Sequence, residues 1–439
     1  MMATMPTKRT VFALWLGWAV ILLAYNVFVP ARFALVRPDK ALAWTANSTR
    51  VGGEQDAKYY LQDPFLRRQV AWDSEYYLAI ALGGYEDPHP DRVGQMSGIV
   101  RSGAGFWPFV IPPNSGVVRE GISLSYAFFP LYPFLMRLLA RPLTIFGLTS
   151  IGAATLAGVI ISMVGALAAA QAIFALAQDE FGPDGGLRAA FYLLIFPSSF
   201  FLGVVYTEGL FVGLAFSSLL LLRRGHFAWA ALLAVLATFT RAAGVTLVVP
   251  LLMAWVKEGD WLELDMEWRQ LYFKGLPWRA IGRGVVAFAP LIAFVVWRLS
   301  YFGMAFSRVE DEFFGRGFLS LGYTYTAWRD AFYSLFGNNP QTAAYYAVEF
   351  AAIVLAFTAC IAGLKHYPDL AWFGLLVVVL SFTSGPAQGM YRYVLAAPPI
   401  YLFLSRLGRR PAFDRIWTLG SILTLGVMAT MFMFDMWSG

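Results

Sequence analysis

The sequence predicts an all-α polytopic membrane protein with about 11 transmembrane helices. Of the 439 residues, 59% are hydrophobic and only 14% are charged, whereas a typical soluble domain has about 25% charged residues. The mean hydropathy is +0.59, and the apolar residues lie in long runs, as is typical of helices that cross a bilayer. The composition therefore excludes an ordinary soluble globule and a disordered chain.

The residues that build metal and disulfide sites are scarce. The chain has one cysteine, Cys360, and three scattered histidines, His89, His226 and His366, so we expect no internal disulfide framework and no metal site. The segment 87–91 (DPHPD) has ligand-type residues, but its two prolines indicate a rigid loop. We interpret the net charge of +6 as a topology signal rather than as nucleic-acid affinity.

The first apolar run, 11–29, follows Lys8 and Arg9 and is long enough to cross a ~30 Å hydrocarbon core. Its basic flank predicts a cytoplasmic N-terminus. A cleavable signal peptide is the alternative, although no small-x-small cleavage site follows the run. Segments near Pro197 and Arg241 are predicted as broken helices that meet near one face. The ten further segments predicted to be membrane-buried are 150–177, 188–204, 209–222, 227–241, 243–256, 284–301, 342–363, 370–384, 393–405 and 416–434.

Segment 124–141 decides the predicted topology. It is apolar enough to span the bilayer, but it contains Pro130, Pro133 and Arg137. If it crosses, the basic loops of the second half face outward; if it lies on the outer interface as an amphipathic helix, they face the cytoplasm. The positive-inside rule favours the second arrangement. In that arrangement 15 basic residues are cytoplasmic: Lys8, Arg9, Arg188, Arg223, Arg224, Lys257, Arg269, Lys274, Arg279, Arg283, Lys365, Arg406, Arg409, Arg410 and Arg415.

This topology divides a single integral-membrane domain, 1–439, into membrane helices and two long loops. Residues 30–149 form a large first extracytoplasmic loop with interfacial helices. Residues 257–283 form a cytoplasmic amphipathic loop, in which aromatic residues alternate with five basic residues. We predict an interfacial helix on anionic lipid for this second loop.

The outer face then receives the unusual polar residues, beginning with Trp72 and Asp73. Tyr77, Ile80 and Ala81 recur at the spacing of an amphipathic helix, which places Asp73 in its first turn. There Asp73 could cap the helix or act in a site.

Three further polar groups are predicted on the same face. A carboxylate at membrane depth, Glu208, indicates function by default, although it could instead bind the backbone freed by Pro197. Arg241 could be a snorkelling arginine, and the Gly/Pro-broken loop 384–393, with Gln388 and Arg392, could be a turn with a topogenic arginine. Together these groups describe a cavity of carboxylates, arginines and aromatics. Such a set suits a phosphate-linked sugar, because guanidiniums bind phosphate oxygens and a carboxylate can act as general base.

The segment 72–85 resembles the signature WD-x3-[YF]-x2-IA-x2-GY of the GPI mannosyltransferase II (PIG-V) family and its bacterial relatives. Segments 128–133, 197–208, 240–244 and 391–393 are similar to later blocks of the family in the same order, with Met390 where the family has proline. The resemblance covers about residues 70–400 and implies a GT-C-type fold.

The resemblance also implies the chemistry. Such enzymes are inverting and transfer a sugar from a polyprenyl- or dolichyl-phosphate donor to a glycolipid or glycan acceptor on the extracytoplasmic face, without a cofactor. The family implies mannose as the sugar, and other polyprenyl-linked hexoses or pentoses stay open. It implies Asp73 as general base and Trp72 and Tyr77 in the substrate site. Glu208, Arg241, Gln388 and Arg392 are the other expected substrate-binding residues, with the arginines steadying the leaving phosphate. The compact loops indicate a bacterial plasma membrane.

Two other classes of function stay open. A transporter or lipid flippase for a phosphate-containing substrate would also use broken helices and membrane arginines, although the sequence has no evident internal repeat. A non-catalytic scaffold of the same fold would bind the donor without turnover.

Overall fold

A computed structural model of the chain describes residues 7–53, 55, 58, 60–85, 99–100, 122–257, 262–265, 270–273 and 278–439. The described part is mainly helical, with two small antiparallel two-stranded sheets.

The N-terminal third has one long helix followed by short elements. In chain order these are α1 (Lys8–Arg32), α2 (Thr45–Ser48), α3 (Pro64–Arg67), α4 (Asp73–Gly83), β1 (Ile99–Val100), β2 (Ile122–Ser123), a 3-10 turn (Leu124–Ala127), α5 (Leu131–Leu143) and a 3-10 turn (Thr144–Phe146). Strands β1 and β2 pair in antiparallel register, with Ile99 opposite Ser123. In its described part, the predicted first loop 30–149 therefore carries short helices, as expected for interfacial segments.

The rest of the chain forms a bundle of longer helices. It contains α6 (Ser150–Leu194), a 3-10 turn (Ser199–Leu202), α7 (Glu208–Arg223), α8 (Phe227–Thr240), a 3-10 helix (Ala242–Leu247), α9 (Val248–Lys257), β3 (Leu262–Asp265), β4 (Gln270–Phe273), α10 (Trp278–Ala287), α11 (Ala289–Leu299), α12 (Tyr301–Phe314), α13 (Leu321–Ser334), α14 (Pro340–Gly363), α15 (Pro368–Phe382), α16 (Met390–Tyr393), a 3-10 turn (Val394–Ala396), α17 (Pro398–Leu407) and α18 (Pro411–Met433).

Four of the described helices, α1, α6, α14 and α18, are long and apolar enough to cross a membrane, and the pair α10–α11, bent by 50°, makes a fifth if it counts as one span. These helices confirm an all-α membrane protein. Three predicted spans are instead shorter apolar helices of 10–17 residues: Phe227–Thr240, Ala242–Lys257 and Pro368–Phe382. The number of about 11 spans stays a prediction.

Two predicted spans, 150–177 and 188–204, share one helix, α6. The helix bends at Gly182, where φ is +76° and ψ is 178°, a conformation that glycine adopts without steric cost. It ends at Leu194, and the chain then runs through the 3-10 turn Ser199–Leu202 to Glu208. The predicted break around Pro197 is therefore present. Residues 195–204, predicted as part of a span, are not regular helix, because a proline has no N–H to donate to a helix carbonyl.

Segment 124–141 forms a 3-10 turn and the 13-residue helix α5. A helix of this length extends about 20 Å, which is shorter than a ~30 Å hydrocarbon core. The length of α5 therefore agrees with the prediction that this segment does not cross the membrane. The guanidinium of Arg137 on α5 donates to the carbonyls of Ala81 (2.7 Å) and Ile80 (3.1 Å) at the C-terminal end of α4. The Ile80 carbonyl also accepts from the N–H of Gly84, the C-cap of that helix, at 3.0 Å. The two helices are thereby joined.

The prediction of one interfacial helix over 257–283 is wrong. In the described residues of this stretch, β3 and β4 form a hairpin, with Leu262 opposite Phe273, and helix resumes only at Trp278. The sequence of β3, Leu-Glu-Leu-Asp, alternates apolar and polar residues, and this period of two is that of a strand. Trp261 and Trp268 of the prediction lie outside the described residues.

Glycines bring α6 and α7 into direct backbone contact. A Cβ on Gly213 of α7 would lie 2.5 Å from the carbonyl oxygen of Gly165 on α6, and a Cβ on Gly209 would meet the backbone of Ser162. Small residues four apart allow membrane helices to approach this closely. The contact places Glu208, the first residue of α7, directly beside α6.

The two ends of α7 carry different polar clusters. Glu208 begins the helix, and Arg223 ends it, about 24 Å away for 16 residues. Arg223 donates twice to Asp369 at 2.7 Å and once to Glu180 at 3.0 Å. The Glu208 end belongs to the predicted outer face and the Arg223 end to the predicted cytoplasmic face, so the packing separates the two clusters by most of a membrane thickness.

Candidate active site

Asp73 is the first residue of helix α4, and Trp72 precedes it as the N-cap. Trp72 has a φ of +54°, an unfavourable conformation for a residue with a side chain, and such backbone strain clusters at functional sites. The Asp73 side chain does not cap the helix; its Oδ2 accepts a hydrogen bond from Arg392 Nη1 at 2.8 Å. The capping role considered for Asp73 is therefore replaced by an ion pair.

Arg392 lies between two carboxylates. Its Nη1 binds Asp73, and its Nε lies 3.3 Å from Glu208 Oε1. The Arg392 side chain is only 6% exposed, and its guanidinium packs on the rings of Tyr206 at 5.1 Å and Phe201 at 5.5 Å. A charge buried this deeply is stable only with partners of opposite charge, so Arg392 and the two carboxylates form one unit.

Glu208 joins a second arginine to this unit. Its Oε1 accepts a hydrogen bond from Arg241 Nη1, which also donates to the Thr207 hydroxyl at 3.3 Å. The Tyr77 hydroxyl lies 3.4 Å from the same Thr207 oxygen. Burial, together with the nearby charge of Asp73, raises the pKa of the Tyr77 phenol, so the phenol is a neutral hydrogen-bonding group here.

Three guanidiniums surround the ring of Tyr393. Arg241 lies 4.8 Å from the ring centre, Arg392 5.0 Å and Arg316 5.5 Å. Arg392 Nη2 also donates to the Tyr393 hydroxyl at 3.1 Å. Tyrosine faces attract cations, so this ring gathers arginines from three separate parts of the chain.

A buried carboxylate, Glu349 on α14, holds the loop that carries Arg392. Its Oε1 accepts from the backbone N–H of Gly389 at 2.6 Å and from the Tyr345 hydroxyl at 2.6 Å, and its Oε2 accepts from the N–H of Tyr391 at 2.9 Å. Glu349 is fully buried. The loop backbone is thus bonded to a transmembrane helix directly before Arg392.

Two carboxylates, three arginines and the Tyr393 ring thus converge at one place in the fold. Residues 119–334 match the mannosyltransferase (PIG-V) family model. The match confirms the family resemblance predicted from the sequence and supports a glycosyltransferase. Among curated proteins no sequence matches this chain.

Solved structures with a similar chain path are archaeal oligosaccharyltransferases. The Archaeoglobus fulgidus enzyme in its apo form has 12% identity and a TM-score of 0.43, over 97% of this chain and 56% of that chain. The AglB oligosaccharyltransferase from the same organism, in complex with an inhibitory peptide and a dolichol-phosphate, has 13% identity and a TM-score of 0.39, over 96% and 55%. The present chain spans about half the length of these structures.

The region that matches the PIG-V mannosyltransferase model contains three of the predicted family blocks, including Glu208 and Arg241. The block with Trp72 and Asp73 and the loop with Arg392 lie outside residues 119–334. Their contacts nevertheless connect them to the matched region, because Arg392 touches Glu208 and the Asp73 N–H donates to the Tyr206 hydroxyl at 3.3 Å.

Not all of the predicted PIG-V site residues meet in the cluster. Tyr77 and Arg241 do, but Trp72 is 3% exposed, and its indole packs edge-on against Trp44 and Trp437 and donates to the carbonyl of Met436 at 3.2 Å. The structure therefore places Trp72 beneath Asp73 in a tryptophan cluster. Gln388 is half-buried, and its backbone carbonyl faces Arg316 Nη2 at 3.5 Å.

Sequence reasoning missed three residues of the site. Glu349 is the one acidic residue of the apolar helix α14, which is a signal that sequence alone provides. Glu310 lies on α12, and Arg316 follows the end of that helix. Both belong to a stretch of mixed charge in which the sequence gives neither residue a distinctive signal. Burial raises the pKa of Glu310 to about 7, against the lowering effect of Arg316, so this carboxyl titrates near neutrality.

Metal binding has no candidate in the described part of the chain, where no three His, Cys, Asp or Glu residues cluster in a way that could hold an ion. The segment 87–91 lies outside the described residues.

The two carboxylates of the cluster, Asp73 and Glu208, differ in exposure and in the number of arginines that they contact. Glu208 is 3% exposed and contacts two arginines, whereas Asp73 is 24% exposed. Arg392 occupies Oδ2 of Asp73, and in the described residues Oδ1 has no hydrogen-bond donor. Asp73 is thus the more accessible of the two carboxylates, and Glu208 is the one in contact with two arginines.

Proposed function

We propose that this protein is an inverting glycosyltransferase that moves a sugar from a polyprenyl- or dolichyl-phosphate donor to an acceptor hydroxyl. The observation that carries the proposal is the accessible Asp73 carboxylate, oriented by Arg392 at 2.8 Å within a cluster of three arginines. The PIG-V match supports mannose as the sugar. The reaction would take place on the extracytoplasmic face of a bacterial plasma membrane, with a glycolipid or glycan as acceptor.

The reaction needs one base. Asp73 takes the proton of the acceptor hydroxyl, and the oxygen attacks the anomeric carbon from the face opposite the phosphate. The bond between that carbon and the phosphate oxygen breaks, and its electron pair leaves with polyprenyl phosphate. Because a phosphate is a stable anion, no general acid is required, and arginines stabilise the developing charge. The paired carboxylates of glycoside hydrolases are thus unnecessary.

An open apolar groove at the end of α8, the helix that precedes Arg241, supports a lipid-linked donor. It has a volume of about 600 Å³ and lies between the end of α8, the bent pair α10–α11 and Ser300. Phe239 lines it, two positions before Arg241. An isoprenoid chain in this groove would lie along the end of the helix that Arg241 follows. The lining residues are Phe239, Val285, Val286, Ala289, Ile292, Ala293, Val296, Trp297 and Ser300.

The proposal is tested with purified protein and polyprenyl-phosphate mannose labelled in the sugar. An enzyme releases polyprenyl phosphate and transfers label when membrane glycolipids are added as acceptors, and Asp73→Asn removes both signals. If label instead accumulates inside sealed vesicles without chemical change, the protein is a transporter or flippase. Donor binding without transfer to any acceptor fraction would indicate a scaffold. Either result would overturn the proposal.

A further inference from the structure

Arg241, Arg316 and Arg392 all face the ring of Tyr393 within 5.5 Å, yet their charges are balanced differently. Arg392 contacts Asp73 and Glu208, and Arg241 binds Glu208. Two carboxylates thus neutralise two of the three guanidiniums.

Arg316 has only neutral partners among the described residues. Its Nη1 lies 3.2 Å from the Ser384 hydroxyl, and its Nη2 lies 3.5 Å from the Gln388 carbonyl. Hydrogen bonds from N–H to oxygen usually measure about 2.7–3.2 Å, so the first contact is at the long end of this range and the second is beyond it. The Arg316 side chain is half-buried. Of the three guanidiniums it is the one without a carboxylate in hydrogen-bond contact among the described residues, although the Glu310 carboxyl on α12 acts on it through its charge.

Backbone hydrogen bonds hold the residues around Arg316 in place. Helix α12 ends at Gly315, which has a φ of +61°, and the Arg316 N–H donates to the Glu310 carbonyl at 2.8 Å. The next residue, Gly317, donates from its N–H to the Ser384 carbonyl at 2.8 Å. The end of α12 is thereby bonded to the loop that carries Gln388 and Arg392. A cation held in place in this way loses little freedom when an anion binds.

We propose that Arg316 is the residue that binds the phosphate of the donor, with the Tyr393 ring as its support; this inference rests on the proposed function. A phosphodiester carries one negative charge, and Arg316 supplies one unbalanced positive charge. The guanidinium fork matches two phosphate oxygens at once. Arg241 and Arg392 would have to give up a carboxylate to do the same, so their main role is to position Glu208 and Asp73.

The test measures binding of polyprenyl phosphate to the purified full-length protein in detergent, without acceptor, for wild type, Arg316→Gln, Arg316→Lys and Arg329→Gln. Arg329 is the matched control, because it is 46% exposed and pairs with its neighbour Asp330. We expect Arg316→Gln to weaken binding about 10- to 100-fold, as for loss of a charged hydrogen-bonding pair, and Arg316→Lys to restore only part of it. Arg329→Gln should bind as wild type. Unfolding midpoints of all four proteins separate a folding defect from a binding defect.

The outcomes distinguish this inference from the proposed function. If wild type transfers the sugar and Arg316→Gln binds polyprenyl phosphate equally well, the inference fails and the glycosyltransferase stands. If binding depends on Arg316 but wild type transfers nothing, the phosphate site stands and the enzyme fails. Full rescue by lysine would reject bidentate binding, and failure of wild type to bind polyprenyl phosphate would overturn both.

Discussion

Arg392 donates from Nη1 to Oδ2 of Asp73 across 2.8 Å, although 319 positions separate the two residues in the chain. This bond connects the start of helix α4 to the last polar loop of the protein. Because Arg392 also contacts Glu208, three distant segments share one network, and a change in any of them should alter the orientation of the Asp73 carboxylate.

Replacing Asp73 with Asn should lower turnover by about 10²- to 10⁴-fold, since a general base contributes that much to rate, while the protein still folds and inserts. Initial rates of sugar transfer measure the loss. Asp330→Asn is the matched control, because Asp330 is 64% exposed on α13. Near-wild-type turnover of Asp73→Asn would reject Asp73 as the base.

Replacing Arg392 with Ala should reduce both donor use and stability. The substitution removes the guanidinium that contacts both Glu208 and Asp73. Breaking a buried ion pair in this way typically lowers the free energy of unfolding by about 3–5 kcal/mol. Arg392→Lys should rescue little, because lysine lacks the fork that reaches both carboxylates. Rates at saturating donor and unfolding midpoints measure the two effects; full activity of the Ala variant would remove Arg392 from the site.

Replacing Glu349 with Ala should affect the site although Glu349 touches no substrate. The N–H groups of Gly389 and Tyr391 would lose their acceptor, at about 1–3 kcal/mol for each unsatisfied buried group, and Arg392 would lose its fixed position. Glu349→Gln retains an acceptor oxygen and should recover part of the turnover. We expect lower turnover with little change in the donor KM; equal loss in the Ala and Gln variants would show that charge rather than loop support matters.

Donor affinity should fall as pH rises through about 7. Burial holds the pKa of Glu310 near that value, with Arg316, Asp73 and Arg241 as the charged neighbours that also act on it. Below pH 7 the carboxyl is protonated and neutral, and the cluster keeps its excess positive charge; above pH 7 the carboxylate ionises and cancels it. A change of one unit charge within several ångströms of the bound phosphate should change its dissociation constant by about fivefold to tenfold.

Titration of the binding of the phosphodiester donor, polyprenyl-phosphate mannose, between pH 6 and 8, each value marking roughly one unit from this pKa, measures this effect. A phosphodiester keeps one negative charge over this range, whereas polyprenyl phosphate itself has a second pKa of about 6. Glu310→Gln should remove the pH dependence and bind at all pH values as wild type does at low pH. An unchanged slope in that variant would assign the titration to another group.

A reporter fused after Arg224 should give a cytoplasmic signal. That position lies next to Arg223 at the end of α7 opposite Glu208, and the positive-inside rule places this basic end in the cytoplasm. A second fusion after Gly337, at the other predicted face, serves as the control for orientation. An extracytoplasmic signal after Arg224 would overturn the predicted topology and the side of the active site.

Much of the fold follows from the sequence because helix formation in a membrane protein depends on local composition. Apolar runs such as 342–363 and 416–434 correspond to α14 and α18 within a few residues. The spacing of Tyr77, Ile80 and Ala81 predicted α4 with Asp73 in its first turn, and Asp73 is the first residue of that helix. The hairpin in 262–273 was missed because aromatic and basic residues suggested an interfacial helix, although the local alternation is that of a strand.

The sequence by itself determined an all-α membrane protein, a resemblance to the PIG-V family and a carboxylate, Asp73, at the start of a short helix. Only the tertiary structure decided which charges meet: that Arg392 bridges Asp73 and Glu208, that Glu349 supports the Arg392 loop, and that Arg316 is left without a carboxylate in the described residues. The reason is physical. Composition and spacing act within a few residues along the chain, whereas the balance of buried charges depends on which helix ends the packing brings within a few ångströms.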